Sequence, residues 1–157
     1  MSRSLASNIP GTPYQYRPLQ TGSEIRLLKV DRINSHHDPM DPDTTQFLGG
    51  TVVPRDFPSY SIVHFNLENA PLYEAVSYVW GSPRRSHKIM LMDGRTLYVT
   101  TSVAYAMPYL ANACQTSYLW IDQITIDQSN LDERSEQVKI MGQIYRQSHR
   151  CLIWMDD

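Results

Sequence analysis

The chain has 157 residues, 41% hydrophobic and 10% aromatic. That is too apolar for a wholly disordered polymer and long enough for one domain that needs no metal or disulfide staple. Its 14 basic and 16 acidic residues leave a formal net charge of −2, without the basic surplus that marks a nucleic-acid binder. Cys114 and Cys151 are too few for a disulfide scaffold, and their apolar neighbours mark both as buried free thiols. No stretch approaches the roughly 20 apolar residues that span a bilayer, and the first residues lack a signal peptide's apolar core. The expectation is a soluble cytoplasmic protein with no nucleic-acid partner and no membrane span.

Residues 1–18, rich in Ser, Pro, Gly and Asn, read as a flexible N-terminal tail, and 19–157 as the domain. Glu24–Val30 is the first strand candidate. Asp31–Pro58 carries four prolines, two histidines and a Gly-Gly pair, and reads as a long surface loop with a short strand near Phe47–Val53. Tyr60–Leu67 alternates, with Val63, Phe65 and Leu67 facing one way and His64 and Asn66 the other, a half-buried strand. Tyr73–Trp80 is a nearly continuous apolar run ended by Gly81, as in a strand covered on both faces. Lys88–Met92 and Arg95–Thr100 flank Asp93-Gly94, the dipeptide favoured in two-residue type I′ hairpins.

Thr101 or Ser102 can cap a helix whose apolar stripe is Val103, Ala106, Met107 and Leu110, with Pro108 a point of kinking or early ending. Tyr118–Ile121 reads as a buried strand. Ser129 with Asp132, or Asn130 with Glu133, resembles a capping box opening a second helix. Val138, Ile140, Met141, Ile144 and Tyr145 carry that helix to near Ser148, and Cys151–Met155 is a further buried strand. Strand–helix–strand implies parallel strands with a crossover. The expected fold is α/β, a largely parallel sheet with flanking helices plus a β-hairpin insertion. The sequence stops two residues after its last strand, so a C-terminally incomplete domain is expected.

Complete catalytic signatures are absent: there is no G-x-S-x-G, no P-loop, no H-E-x-x-H and no paired C-x-x-C. His36-His37 with Asp38 lacks the spacing of a helical zinc site, so no metal is expected. His149, two residues from Cys151, does not make a reactive thiol by spacing alone. Two clusters remain. In the first, Ser77, Tyr78, Trp80 and Gly81 end a strand. Ligands of open α/β sheets bind beyond the strands' carboxyl ends, where rings can stack on a planar group. The plain alternative is that Tyr78 and Trp80 are core aromatics. In the second, Asp122 ends a strand, Gln128 lies in the connection, and Glu133 and Arg134 open the next helix. The helix dipole by itself accounts for acidic residues there. The functional reading is that Asp122, Gln128 and Glu133 converge with Ser77 and Trp80 on one rim, where Glu133 acts as a base or stabilises a developing cation.

YEAVSYVWG at 73–81, LWIDQITIDQSNLDERSEQV at 119–138 and MGQIYRQSHRCLIWM at 141–155 are similar to the fungal heterokaryon-incompatibility (HET) domain. That family carries an "ALSYVWG" block, then "LWIDALCINQ", "ER", "QV", "IY" and a closing "V-x-W-L-G". The hairpin block and YQYRPLQTGSEIRLLKV at 14–30 fit as well. Gln123-Ile124-Thr125 replaces the family's Ala-Leu-Cys, Asp127 its Asn, and Met155-Asp156 its Leu-Gly. The resemblance implies a module of fungal self/non-self recognition that triggers programmed cell death by self-association or contact with other death-signalling proteins. A more distant likeness, carried by Val76–Gly81, is to TIR domains, which implies a TIR-like sheet. It also implies an alternative activity, NAD⁺ hydrolysis with no bound cofactor, NAD⁺ being the substrate. In one alignment Glu133 matches the catalytic Glu of TIR enzymes. In the other, that helix lies beyond residue 157.

Overall fold

The computed structural model describes residues 11–31, 45–48, 51–54 and 58–155. Nine strands and three α-helices are defined among them, with a 3-10 turn at Leu67–Asn69: β1 Glu24–Asp31, β2 Thr45–Leu48, β3 Thr51–Pro54, β4 Ser59–Asn66, β5 Glu74–Tyr78, β6 Arg85–Met90, β7 Thr96–Thr100, α1 Thr101–Ala113, β8 Tyr118–Trp120, α2 Asp122–Thr125, α3 Leu131–Gln147 and β9 Arg150–Trp154. The main sheet has five strands in the order β4-β1-β8-β5-β9, beside the two-stranded ribbons β2-β3 and β6-β7. β2 and β3 take the place of the single strand expected near Phe47–Val53. The expected His36-His37-Asp38 loop lies outside the described residues.

The sheet is mixed, which corrects the expectation of a largely parallel one. β5 pairs in parallel with β8 and β9, but β1 pairs antiparallel with both β4 and β8. β1 joins the sheet beside β8 and runs against it, and β4, antiparallel to β1, runs the same way as β8, β5 and β9; local apolar patterns cannot encode this. β8 and β9 share a direction, as their helical connection requires, but flank β5 rather than each other.

The sheet separates two cores. Leu28, Val30, Val76 and Leu119 face α1, whose Val103, Ala106, Met107 and Leu110 cover that side. Ile25, Leu27, Ala75 and Trp120 face α3, through Ile144 with Ile140, Met141 and Tyr145. Strand alternation assigns successive residues to opposite faces. With both faces covered, β1 carries apolar residues on both sides, Ile25 and Leu27 on one and Leu28 and Val30 on the other, instead of alternating cleanly.

Several local expectations shift. Thr100, not Thr101 or Ser102, caps α1, its hydroxyl accepting from the Val103 amide at 3.5 Å. α1 continues through Pro108, so the proline does not end the helix. Of Asp93-Gly94 only Gly94 has positive φ, +87°, whereas a type I′ turn needs it at both residues. The Gly94 amide bonds to the Leu91 carbonyl and the Leu91 amide to the Arg95 carbonyl, a wider turn with the glycine in the left-handed region. Asn130 caps α3, accepting from the Glu133 amide at 3.2 Å. β9 is an edge strand, not a buried one, so Cys151 is exposed while Cys114 is buried.

Candidate functional site

β5 lies between the two strands parallel to it, and helices cover opposite faces of the sheet. The chain leaving β5 and the chain leaving β8 therefore frame the crevice at the strands' carboxyl ends, the position at which open α/β sheets take ligands. Here Tyr78 donates its hydroxyl to Asp122 Oδ1 at 2.8 Å. Gln128 returns across the same turn and donates to the Asp122 carbonyl at 3.0 Å. Burial and the neighbouring Asp122 carboxylate raise the Tyr78 pKa well above the usual phenol range. Tyr78 is thus a hydrogen-bond donor at neutral pH, not a base.

The Trp80 ring is nearly parallel to that of Tyr78, 7° between planes and 6.5 Å between centroids, and the Arg85 guanidinium lies 6.0 Å from the Trp80 ring centre. Gly81 has a φ of +63°, and a Cβ there would meet nothing within 4 Å. Backbone conformation, not a close approach, is what favours glycine at this position. Ser77 is exposed and, one residue before Tyr78, points to the opposite face. Of the first cluster the structure joins Tyr78 and Trp80 and sets Ser77 apart.

In the second cluster, Glu133 sits in the first turn of α3 and is buried. Its Oε1 accepts from Arg26 at 2.6 Å, and its Oε2 accepts from Arg26 at 2.9 Å and from the Asp127 amide at 2.6 Å. Arg26, fully buried on β1, also donates to the Thr125 carbonyl at 3.3 Å and to the Arg17 carbonyl at 2.8 Å. Its guanidinium lies 4.9 Å from the Tyr16 ring centre, and the Tyr16 hydroxyl donates to the Ile124 carbonyl at 2.7 Å. Arg134 is exposed. The short helix α2 links the clusters, since Asp122 at its start holds Tyr78 and Thr125 at its end holds Arg26.

The sequence reading missed Arg26, Tyr16, Gln123 and Thr100. Buried Gln123 accepts from the Thr100 amide at 2.8 Å and donates to the Thr100 hydroxyl at 3.1 Å, tying α2 to the start of α1. An arginine inside the apolar run EIRLLKV was the available signal for Arg26, because a buried charge needs a partner. An open cleft of about 350 Å³ lies between residues 18–22 and the start of α3, with Asp132, Glu133 and Glu136 among its lining. No group of three His, Cys, Asp or Glu among the described residues could hold a metal ion.

Fold and site together define a mixed α/β module in which two polar clusters meet around a short helix at the strands' carboxyl ends. The chain belongs to the heterokaryon incompatibility (HET) family, whose description, Heterokaryon incompatibility protein (HET), matches residues 73–157. Over 97 residues it is 36% identical to Heterokaryon incompatibility protein 6, OR allele, of Neurospora crassa, an alignment covering 54% of this chain and 14% of that relative. The chain therefore spans a small part of that relative's length. No solved structure matches the chain significantly. Among the described residues no helix is long and apolar enough to cross a membrane.

Proposed function

We propose that this chain is the signalling module of a fungal incompatibility protein, acting in the cytoplasm in self/non-self recognition. It triggers programmed cell death by associating with itself or with other death-signalling proteins. Membership of the HET family, through the blocks that build the strands' carboxyl ends, carries the reading. The geometry supports an interaction role. Both Glu133 oxygens already accept from Arg26, and one also accepts a backbone amide, so the carboxylate acts as an internal anchor. Sedimentation of the purified chain across a concentration series tests the proposal. Reversible oligomers are expected, and a strict monomer at every attainable concentration argues against it.

A second reading is a TIR-like NAD⁺ glycohydrolase. Its support is the parallel Tyr78 and Trp80 rings at the position where such sheets bind ligands. Glu133 would stabilise the oxocarbenium-like transition state as nicotinamide leaves, as carboxylates do in glycoside cleavage. Proton NMR of NAD⁺ with the folded chain decides this. The enzyme reading expects nicotinamide release that Glu133→Gln abolishes while the protein spectrum stays dispersed. Full turnover by that variant sinks the assignment.

A further inference from the structure

Four residues near the start of α3 form two rows at i, i+4 spacing, Asp132 with Glu136 and Glu133 with Gln137. The outer row, Asp132 and Glu136, is exposed, while the inner row is buried. All four line the cleft of about 350 Å³ whose opposite wall is residues 18–22, and no Lys, Arg or His lines it. Glu133 is spent on Arg26 and the Asp127 amide. Glu136 meets Lys139 in an exposed pair at 2.8 Å, which is worth little. Asp132 enters no ion pair among the described residues. Its like charge with Glu136 at i, i+4 is unfavourable until a cation comes between them. Gln137 is only 1% exposed, and its Nε2 donates to the Glu24 carbonyl at 3.0 Å. A carbonyl only accepts, which fixes the nitrogen there and leaves Oε1 as the other atom. That Oε1 is buried without a hydrogen-bond partner. A buried acceptor without a donor is costly, and it marks a place where an N–H fits.

We propose that this cleft binds a guanidinium group, with Gln137 Oε1 accepting at its floor and the Asp132 and Glu136 carboxylates at its rim. The charge of the lining calls for a cation, and the orphan oxygen calls for one that carries N–H. A metal ion does not suit, since no group of three His, Cys, Asp or Glu among the described residues could hold one. A guanidinium presents several N–H donors in a rigid plane and so serves an amide oxygen and carboxylates together. Pro18 and Leu19 supply apolar contact for the methylenes that carry it. Two sources share this chemistry, a free small guanidine and an arginine side chain of a partner polypeptide. The proposal rests on neither functional reading, because neither Tyr78 nor Trp80 lines the cleft.

Amide NMR spectra of the folded chain titrated with agmatine test this. Saturable shifts confined to residues 18–22 and 130–137 are expected, with a dissociation constant below about 1 mM. Tetramethylammonium, a cation without N–H, should bind about tenfold more weakly or worse. Asp132→Asn, at an exposed position, should weaken agmatine about tenfold, and Gln137→Met should abolish the shifts. Gln137→Met also loses the bond to the Glu24 carbonyl; if it does not fold, the other two comparisons still decide. An acetylated Gly-Arg-Gly amide that binds at least as tightly as agmatine assigns the cleft to a partner's arginine. Binding of agmatine alone assigns it to a free guanidine. No saturable binding, equal binding of tetramethylammonium, or a response unchanged in Asp132→Asn overturns the proposal.

Discussion

At the carboxyl ends of the parallel strands Glu133 faces Arg26, and at their amino ends Glu74 faces Arg150. The two pairs share their chemistry but differ in what they join. Glu133 and Arg26 are both buried and bind β1, the chain after α2 and the first turn of α3 into one unit. Glu74, also buried, gathers a local loop: it accepts from the Gln115 amide at 2.9 Å, the Thr116 hydroxyl at 3.0 Å and Arg150 at 2.8 Å. That loop contains Ser117 at a φ of +67°, whose carbonyl accepts from Val30 at 2.9 Å. A glutamate beside an arginine is thus a long-range clasp at one end and a loop anchor at the other. Only the clasp lies at the carboxyl ends of the parallel strands.

Breaking the clasp is expected to have the largest effect. Glu133→Ala leaves the Arg26 guanidinium buried without its counter-charge, a loss of about 3–5 kcal/mol. Against the roughly 5–15 kcal/mol that holds a domain, this is large, and urea unfolding measures it. A loss under about 1 kcal/mol would mean that Glu133 is held loosely enough to serve another purpose.

The loop anchor should show itself through pH. Burial alone would raise the Glu74 pKa, but hydrogen bonds from Cys114, the Gln115 amide, Arg150 and Thr116 outweigh it and hold the value at about 2, against 4.5 for a free side chain. A depressed folded pKa contributes stability above the unfolded value that drains away as pH falls from 4.5 toward about 2. The contribution at neutral pH is about 3 kcal/mol. Glu74→Gln should therefore unfold more easily at pH 7 and approach the unaltered chain at low pH. A constant gap between the two across that range would contradict the linkage.

The smallest of these effects is expected at the rim. Tyr78→Phe removes the hydrogen bond to Asp122, which is worth about 1.5 kcal/mol. If the fold barely changes while any NAD⁺ turnover disappears, the Tyr78–Asp122 pair serves a ligand rather than the scaffold. Loss of stability alone would make it a second clasp.

Much of the sheet was legible residue by residue. Strands near 24–30, 60–67, 73–80 and 118–121 and two helices follow from apolar spacing and caps, and Asn130 does cap α3. Three readings failed for one reason. The sheet's direction, the exposure of Cys151 and the edge position of β9 all depend on which strand lies beside which. The capping pattern around Asn130 and Glu133 could be read locally, because a helix start is made by neighbours in sequence. The partner of the Glu133 side chain could not, since Arg26 lies 107 residues away.

The sequence by itself determined the elements, the polar residues at the strands' carboxyl ends and the blocks that make this a HET family member. Periodicity, capping and motif spacing act over a few residues and survive in the linear text. Only the tertiary structure decided that β1 runs against the other four strands of the sheet. It also decided that Arg26 and Glu133 close on each other, and that β9 lies at the edge of the sheet among the described residues. Each of these is a relation between distant segments, fixed by shared burial and by the need of every buried charge for a partner.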